Sequence, residues 1–250
     1  MPVVSSRRRL RVGNGFESHG ARRPLYQSQL LPLALSGVFL INVKIDIYRA
    51  AAIAGLEVKP FKFGVTNKSL EFLDKFPLAK IPAFEGKSGF TLLEGASIGR
   101  YVASLAPESG LFGNSVKDTA LVDQWIHFAE HEINAYTDII WQLVERFFPE
   151  KAYSEGIHKS IFERQERSPK FLEQHINRRN FLVTDEITLE DIILAAVIQR
   201  AARVTLGAAE RALYPNIFSR YAKVAADLRI KDIFGTVDFV EVPLAPKKVE

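Results

Sequence analysis

The 250-residue sequence contains no cysteine. Disulfides, thiolate metal sites and a cysteine nucleophile are therefore excluded, while the redox compartment is left open. Long apolar runs are also missing. The run "LLPLALSGVFLI", residues 30–41, falls well short of the roughly 20 residues that a spanning helix needs. Acidic residues are almost absent from the first 41 positions, which carry six Arg, no Lys and only Glu17. The whole chain is +4, the first 41 residues contribute +5, and the remaining 209 therefore sum to −1. The basic pI near 9.2 thus belongs to one end of the chain. Nothing in the body asks for a polyanion, and neither nucleic acid nor a membrane is expected as a direct partner.

What is present is a globular composition, 47% hydrophobic, sufficient for one large domain or two modest ones with their own cores. Three readings fit the Arg-rich, Ser-rich N-terminus: a mitochondrial transit peptide, a secretory signal with residues 30–41 as its apolar core, or a basic, disordered extension over residues 1–36 without a targeting role. The third is adopted because residues 37–41 are needed as a strand. It implies a cytoplasmic protein, and a mitochondrial one if residues 1–36 are a transit peptide.

From residue 37 the pattern alternates. "GVFLI" reads as a buried strand, "DIYRAAAIAG" as an Ala-rich helix closed by Gly55, and "LEVKPFKF" as a second strand. "NKSLEFLDKF" is a short helix ended by Pro77, and "IPAFE" and "FTLLE" are strands joined by a Gly-containing hairpin turn. Beyond Glu94, Ile98, Tyr101, Val102 and Leu105 recur at helical spacing. Everything after about Pro107 is helical, with Leu121, Trp125, Phe128, Tyr136, Ile140, Leu143 and Phe147 forming one long apolar stripe. In "EITLEDIILAAVI", Thr188 and Asp191 form a capping box, with Ile187 and Ile192 as the hydrophobic staple. The order β-α-β-α-β-β-α followed by helices predicts an α/β thioredoxin-like domain over residues 37–107 and an all-α helical domain over residues 108–240, with residues 241–250 beginning a linker or tail.

The words "TNKSLEFLDKFPLAKIPAFEG", "GFTLLEGASIGRYV", "QWIHFAEHEI", "FLVTDEITLEDI" and "YPNIFSRY" resemble the glutathione transferase superfamily. They are most similar to the amino-terminal transferase-like domain of the gamma subunit of translation elongation factor one. This resemblance covers roughly residues 37–239. It implies that the Ile81-Pro82 bond is cis and that Ile81, facing an open groove, offers its N–H and C=O to the cysteinyl part of glutathione. Glu94 would take the γ-glutamyl ammonium group, the amides of Gly95 and Ala96 at a helix N-terminus the γ-glutamyl carboxylate, and Lys80 the other end of the tripeptide. It further implies glutathione as substrate or ligand, and a homodimer formed through residues 95–105 and 116–148. A guanine-nucleotide-exchange subunit of the elongation factor is a second implied partner.

Two departures bear on catalysis. Gly95 stands where the family usually has Ser, so an amide remains but a hydroxyl is lost. At the end of the first strand, where transferases carry a sulfur-activating Tyr, Ser or Cys, this chain reads "LINVKID". Asn42 and Lys44 are the catalytic candidates there, each equally readable as part of a solvated turn. Two functions of different class follow: conjugation of glutathione to an electrophile, or a non-catalytic scaffold in the elongation-factor complex.

Other signals are weaker. "HFAEH", residues 127–131, matches an H-x-x-E-H metal pattern, but a zinc site needs a third ligand that spacing alone does not supply. The expectation is no metal, with His127 and His131 at the edge of an interdomain cleft. Asn67-Lys68-Ser69 fits a glycosylation acceptor and would matter only in a secreted protein.

Overall fold

The computed structural model describes residues 31–34, 52, 58–59, 68–86, 89–145, 153–176, 180–235 and 237–246. Its four-stranded sheet runs in the order β2-β1-β3-β4, with β1 at Leu31–Ala34, β2 at Val58–Lys59, β3 at Ala83–Glu85 and β4 at Thr91–Leu93. β1 is parallel to β2 and antiparallel to β3, with Leu33 opposite Phe84 and Ala34 opposite Ala83. β3 and β4 form a hairpin, closed at the turn by Gly86 donating to the Phe90 carbonyl at 2.7 Å. Gly89 sits there at φ +78°, a conformation glycine adopts without steric cost.

The first strand differs from expectation. β1 lies inside the stretch expected to be extension, whereas residues 37–41, expected as the strand, lie outside the described residues. β1 is placed by its pairing with β2 and β3, which local pattern does not encode. Of the expected Ala-rich helix only Ala52 is described, and it is helical.

Helix α1, Leu70–Lys75, opens on Ser69, whose Oγ accepts from the Phe72 N–H at 3.2 Å. The hydroxyl of the glycosylation-like triplet is thus a helix cap. Lys75 at the other end pairs with Glu85 of β3 at 2.9 Å. Helix α2, Gly95–Ser104, buries Ile98, Val102 and Ala103 against the sheet and the helical domain.

The helical domain starts with α3, Val116–Phe128, capped by Ser115. Instead of one uninterrupted α-helix, the chain passes through a π-helical segment, Ala129–Asn134, before α4, Ala135–Val144. The wider turn is stitched by polar groups: the Ile133 carbonyl accepts from Thr137 Oγ1 at 2.9 Å and from Gln165 Nε2 at 3.3 Å. Gln165 also donates to Thr137 Oγ1 at 2.5 Å. The buried face accordingly runs through Val122, Ile126, Ala129, Ile133, Thr137, Ile140 and Val144. From the expected stripe, Trp125, Ile140 and Leu143 are buried, Leu121, Phe128 and Tyr136 are half-buried, and Phe147 lies outside the described residues.

Gln165 comes from α5, Glu155–Ile176. At the centre lies α6, Leu189–Ala202, which opens on the expected capping box with the Thr188 N–H donating to Asp191 Oδ2 at 3.0 Å. Ile187 and Ile192 are buried in the same cluster, as a staple requires. Asp191 also pairs with the buried Arg220 at 3.0 Å. Arg220 lies on α8, Pro215–Ala225, which follows the short α7, Ala208–Ala212. Glu173 of α5 accepts the first free amides of α8, from Asn216 and Ile217, each at 2.9 Å. The short α9, Lys231–Phe234, closes the helical set.

Residues 241–246, expected as linker, lie against the domain. The Val240 N–H donates to the Ala202 carbonyl at 3.0 Å, the Glu241 carbonyl accepts from Ala208 at 2.8 Å, and the Leu244 N–H donates to the Val204 carbonyl at 2.8 Å. Phe239 and Leu244 anchor this strap in apolar clusters. Its two prolines resemble a linker; its two apolar anchors decide the outcome. Among the described residues no helix is long and apolar enough to cross a membrane.

Candidate functional site

The residues singled out in the sequence converge on one end of the β3–β4 hairpin. The register puts Ala83 opposite Leu93, so Pro82 and Glu94 are the next residues outward on adjacent strands, which lie about 4.8 Å apart. The Ile81-Pro82 bond is cis. Ile81 is oriented differently from the open-groove expectation: its side chain, 4% exposed, packs inward with Phe72, Phe76 and Ala83. Its backbone is what the site can use. Among the described residues no hydrogen bond engages the N–H or the C=O of Ile81. Lys80, just before it, is exposed and makes no ion pair among the described residues.

Glu94 is the most constrained residue of this group. It stands at the N-cap of α2 with φ +64° and ψ +124°, yet its side chain makes no cap hydrogen bond. A residue with a Cβ held in that region costs roughly 1–3 kcal/mol, a cost that tends to be stored at functional sites. An ordinary capping role would account for the residue only if the carboxylate reached the α2 amides. It does not; it is exposed beside Pro82, and the first amides of α2, beginning at Gly95, carry no side-chain cap. Uncapped amides at the positive end of a helix dipole suit a carboxylate.

The π-helical turn lies within electrostatic range of this end of the hairpin. Burial pushes the Glu130 carboxyl above the usual carboxylate range, opposed by the neighbouring His127 and His131 and reinforced by the negative charge of Glu94. The two imidazoles stack with centroids 5.7 Å apart and planes 5° from parallel. His127 Nδ1 lies 3.9 Å from Glu130 Oε2. His127 and His131, expected at the edge of an interdomain cleft, form with Glu130 a cluster whose electrostatics include Glu94. Glu130 was not singled out; its place in an i, i+3, i+4 set was the available signal. Asn42 and Lys44 lie outside the described residues.

Comparison with known proteins agrees with this geometry. The family pattern of the glutathione S-transferase N-terminal domain matches residues 37–104, and that of the glutathione S-transferase C-terminal domain matches residues 136–225. The chain belongs to the glutathione S-transferase family. The Glutathione S-transferase-like protein FUS3 of Gibberella fujikuroi is 34% identical over 189 residues, covering 74% of this chain and 88% of that protein. Elongation factor 1-gamma of Danio rerio is 31% identical over 184 residues, 72% of this chain but 39% of that longer protein. Among solved structures, the GST-like domain of Elongation factor 1-gamma from Saccharomyces cerevisiae superposes with a TM-score of 0.74 at 22% identity, covering 89% of this chain and 100% of that one. A glutathione S-transferase from Methylobacillus flagellatus, solved with glutathione bound, gives 0.70 at 20% identity, covering 87% and 100%. The thioredoxin-like sheet followed by a helical domain is thus the family's fold, and both the transferase-like and the elongation-factor-like readings are compatible with it.

Proposed function

We propose that this glutathione S-transferase-fold protein binds glutathione at the Pro82–Glu94 end of the hairpin. The observation that carries this reading is Glu94: a carboxylate at φ +64°, uncapped and exposed next to a cis proline. In this arrangement the cysteinyl part of the tripeptide pairs with the N–H and C=O of Ile81. The γ-glutamyl ammonium meets Glu94, its carboxylate meets the amides of Gly95 and Ala96, and Lys80 serves the far end. A relative of the same fold with glutathione bound supports the ligand class. Titration calorimetry with glutathione tests the proposal. Glu94→Gln removes a charge-assisted bond worth about 1.5–3 kcal/mol, so affinity should fall about ten- to hundredfold; equal affinities would refute it.

Conjugation is the finer step. It needs a group that holds the sulfur as thiolate, and Asn42 and Lys44 are the proposed donors. Asn42→Ala or Lys44→Ala should lower conjugation of a model electrophile while leaving glutathione affinity in place. If neither does, the second reading takes over, a non-catalytic scaffold that holds the elongation factor's guanine-nucleotide-exchange subunit. The 31% identity to Elongation factor 1-gamma and the absence of a hydroxyl at Gly95 support that reading, and co-purification unaffected by Glu94→Gln would mark it. Either function is proposed to operate as a two-fold homodimer through residues 95–105 and 116–148. Light scattering that reports a monomer at micromolar concentration would refute the dimer.

A further inference from the structure

The π-helical turn carries a cluster that glutathione binding does not use. His127, Glu130 and His131 present one donor atom each, and all three atoms lie within 4.8 Å of one another. Both imidazoles are exposed, and among the described residues neither makes a hydrogen bond, so both rings are free to turn. Glu130 is half-buried, its carboxylate already aimed at the His127 ring. Around a four-coordinate zinc ion with bonds near 2.0–2.1 Å, neighbouring donors sit roughly 3.4 Å apart. Rotating two exposed imidazoles closes that difference without moving the backbone.

The backbone itself is arranged for the cluster. A π turn within an α-helix is rare and is found frequently at functional sites. Here it spans Ala129–Asn134, so Glu130 and His131 both lie on it. The turn is held from behind by Thr137 and Gln165 rather than by the histidines. Among the described residues the side chains of His127, Glu130 and His131 make none of the hydrogen bonds that stitch the turn, unlike Glu132, which accepts from Ser168.

We infer that His127, Glu130 and His131 form a binding site for one divalent transition-metal ion of the zinc class, with a fourth coordination position left to water or a ligand. Two imidazoles and one carboxylate are a donor set that zinc accepts readily when a fourth position is kept for water or a ligand. The same nitrogen-rich set disfavours magnesium and calcium, which prefer oxygen. The site stands whether or not glutathione binds, because none of its three donors is assigned to the tripeptide.

Calorimetric titration of the full chain with Zn2+ alone, at neutral pH and without thiols, tests this inference. One ion per chain is expected, with His127→Ala or His131→Ala weakening binding by at least about tenfold and Glu130→Gln weakening it less. His158→Ala and His175→Ala, elsewhere on α5, should leave the isotherm unchanged. Co2+ loaded in place of Zn2+ should show the visible absorption of a four- or five-coordinate site, lost in the His127→Ala/His131→Ala double variant. Circular dichroism of each variant should match wild type, because the imidazoles are exposed. Binding no tighter in wild type than in the double variant, or a Co2+ spectrum of a fully hydrated ion, would overturn the inference.

Discussion

Glu94→Gly separates what the carboxylate does from what its backbone conformation costs. At φ +64° and ψ +124° a residue with a Cβ carries a penalty of roughly 1–3 kcal/mol. Glycine relieves it and gives back about 0.5–1 kcal/mol in lost chain entropy. No cap bond disappears, because the Glu94 side chain makes none, and Gly is itself an acceptable N-cap. The balance is a gain of roughly 0–2.5 kcal/mol, which for a chain of this size raises Tm by up to about 10 °C in ligand-free buffer. Glutathione should invert the order. Wild type gains about 2.7 kcal/mol when the ligand is at 100 times Kd, whereas the variant needs about ten- to hundredfold more ligand for the same gain. Scanning calorimetry with and without glutathione reads both effects. A variant that melts below wild type without ligand would mean that the carboxylate makes a structural contact, and the strain argument would fail. Equal ligand-induced shifts would remove Glu94 from the site.

Other perturbations have equally definite outcomes. Burial, with the charge of Asp191 beside it, pushes Glu190 up to about 8, so the folded state keeps a proton that the unfolded chain releases near pH 4.5. That contribution is complete below about pH 4.5 and is lost as pH rises through about 8. Urea midpoints of wild type should therefore fall between pH 6 and pH 9, and Glu190→Gln should flatten the profile; an unchanged profile would mean that the proton is not there. Gln165→Leu leaves the π-turn carbonyl of Ile133 and the Thr137 hydroxyl each short of a partner, which should cost about 1–3 kcal/mol in urea unfolding. Phe239, half-buried with rings 5.9 Å from Phe218 and 5.5 Å from Tyr221, holds the C-terminal strap. Phe239→Ala should cost roughly 2 kcal/mol, about half the price of a fully buried Phe, and should release residues 237–246 to protease sooner than in wild type.

What was legible in the sequence follows the range of the interactions involved. The hairpin, the start of α2 and the box on α6 are each specified within a few residues, and they sit where the words "AKIPAFEG", "TLLEGAS" and "TLED" put them. The resemblance supplied the cis bond at Pro82. β1 at residues 31–34 was not expected, because its place there rests on cross-strand pairing rather than on local pattern. The buried face of the π turn was missed for a different reason. Thr137 is fully buried, and a polar residue at a core position carries no hydrophobic signal; its partner Gln165 is 28 residues away. Ile81 was read for its backbone, and the side chain's place in a small apolar cluster depends on Phe72 and Phe76 from α1.

The π turn also sets a rule about length. Such a turn amounts to an α-helix carrying one residue more than its hydrogen-bond ladder requires. Deleting a single residue within Ala129–Asn134 would restore a regular helix and keep the ladder continuous. Residues beyond the turn would keep their phase about the axis, because the wider turn spends one extra residue on the same sweep. Thr137, Ile140 and Val144 would therefore stay buried, whereas the side chains inside the turn would be re-aimed and His131 would leave its alignment with His127. The extra residue thus acts locally: it points the side chains of one turn and leaves the packing on either side of it as it was.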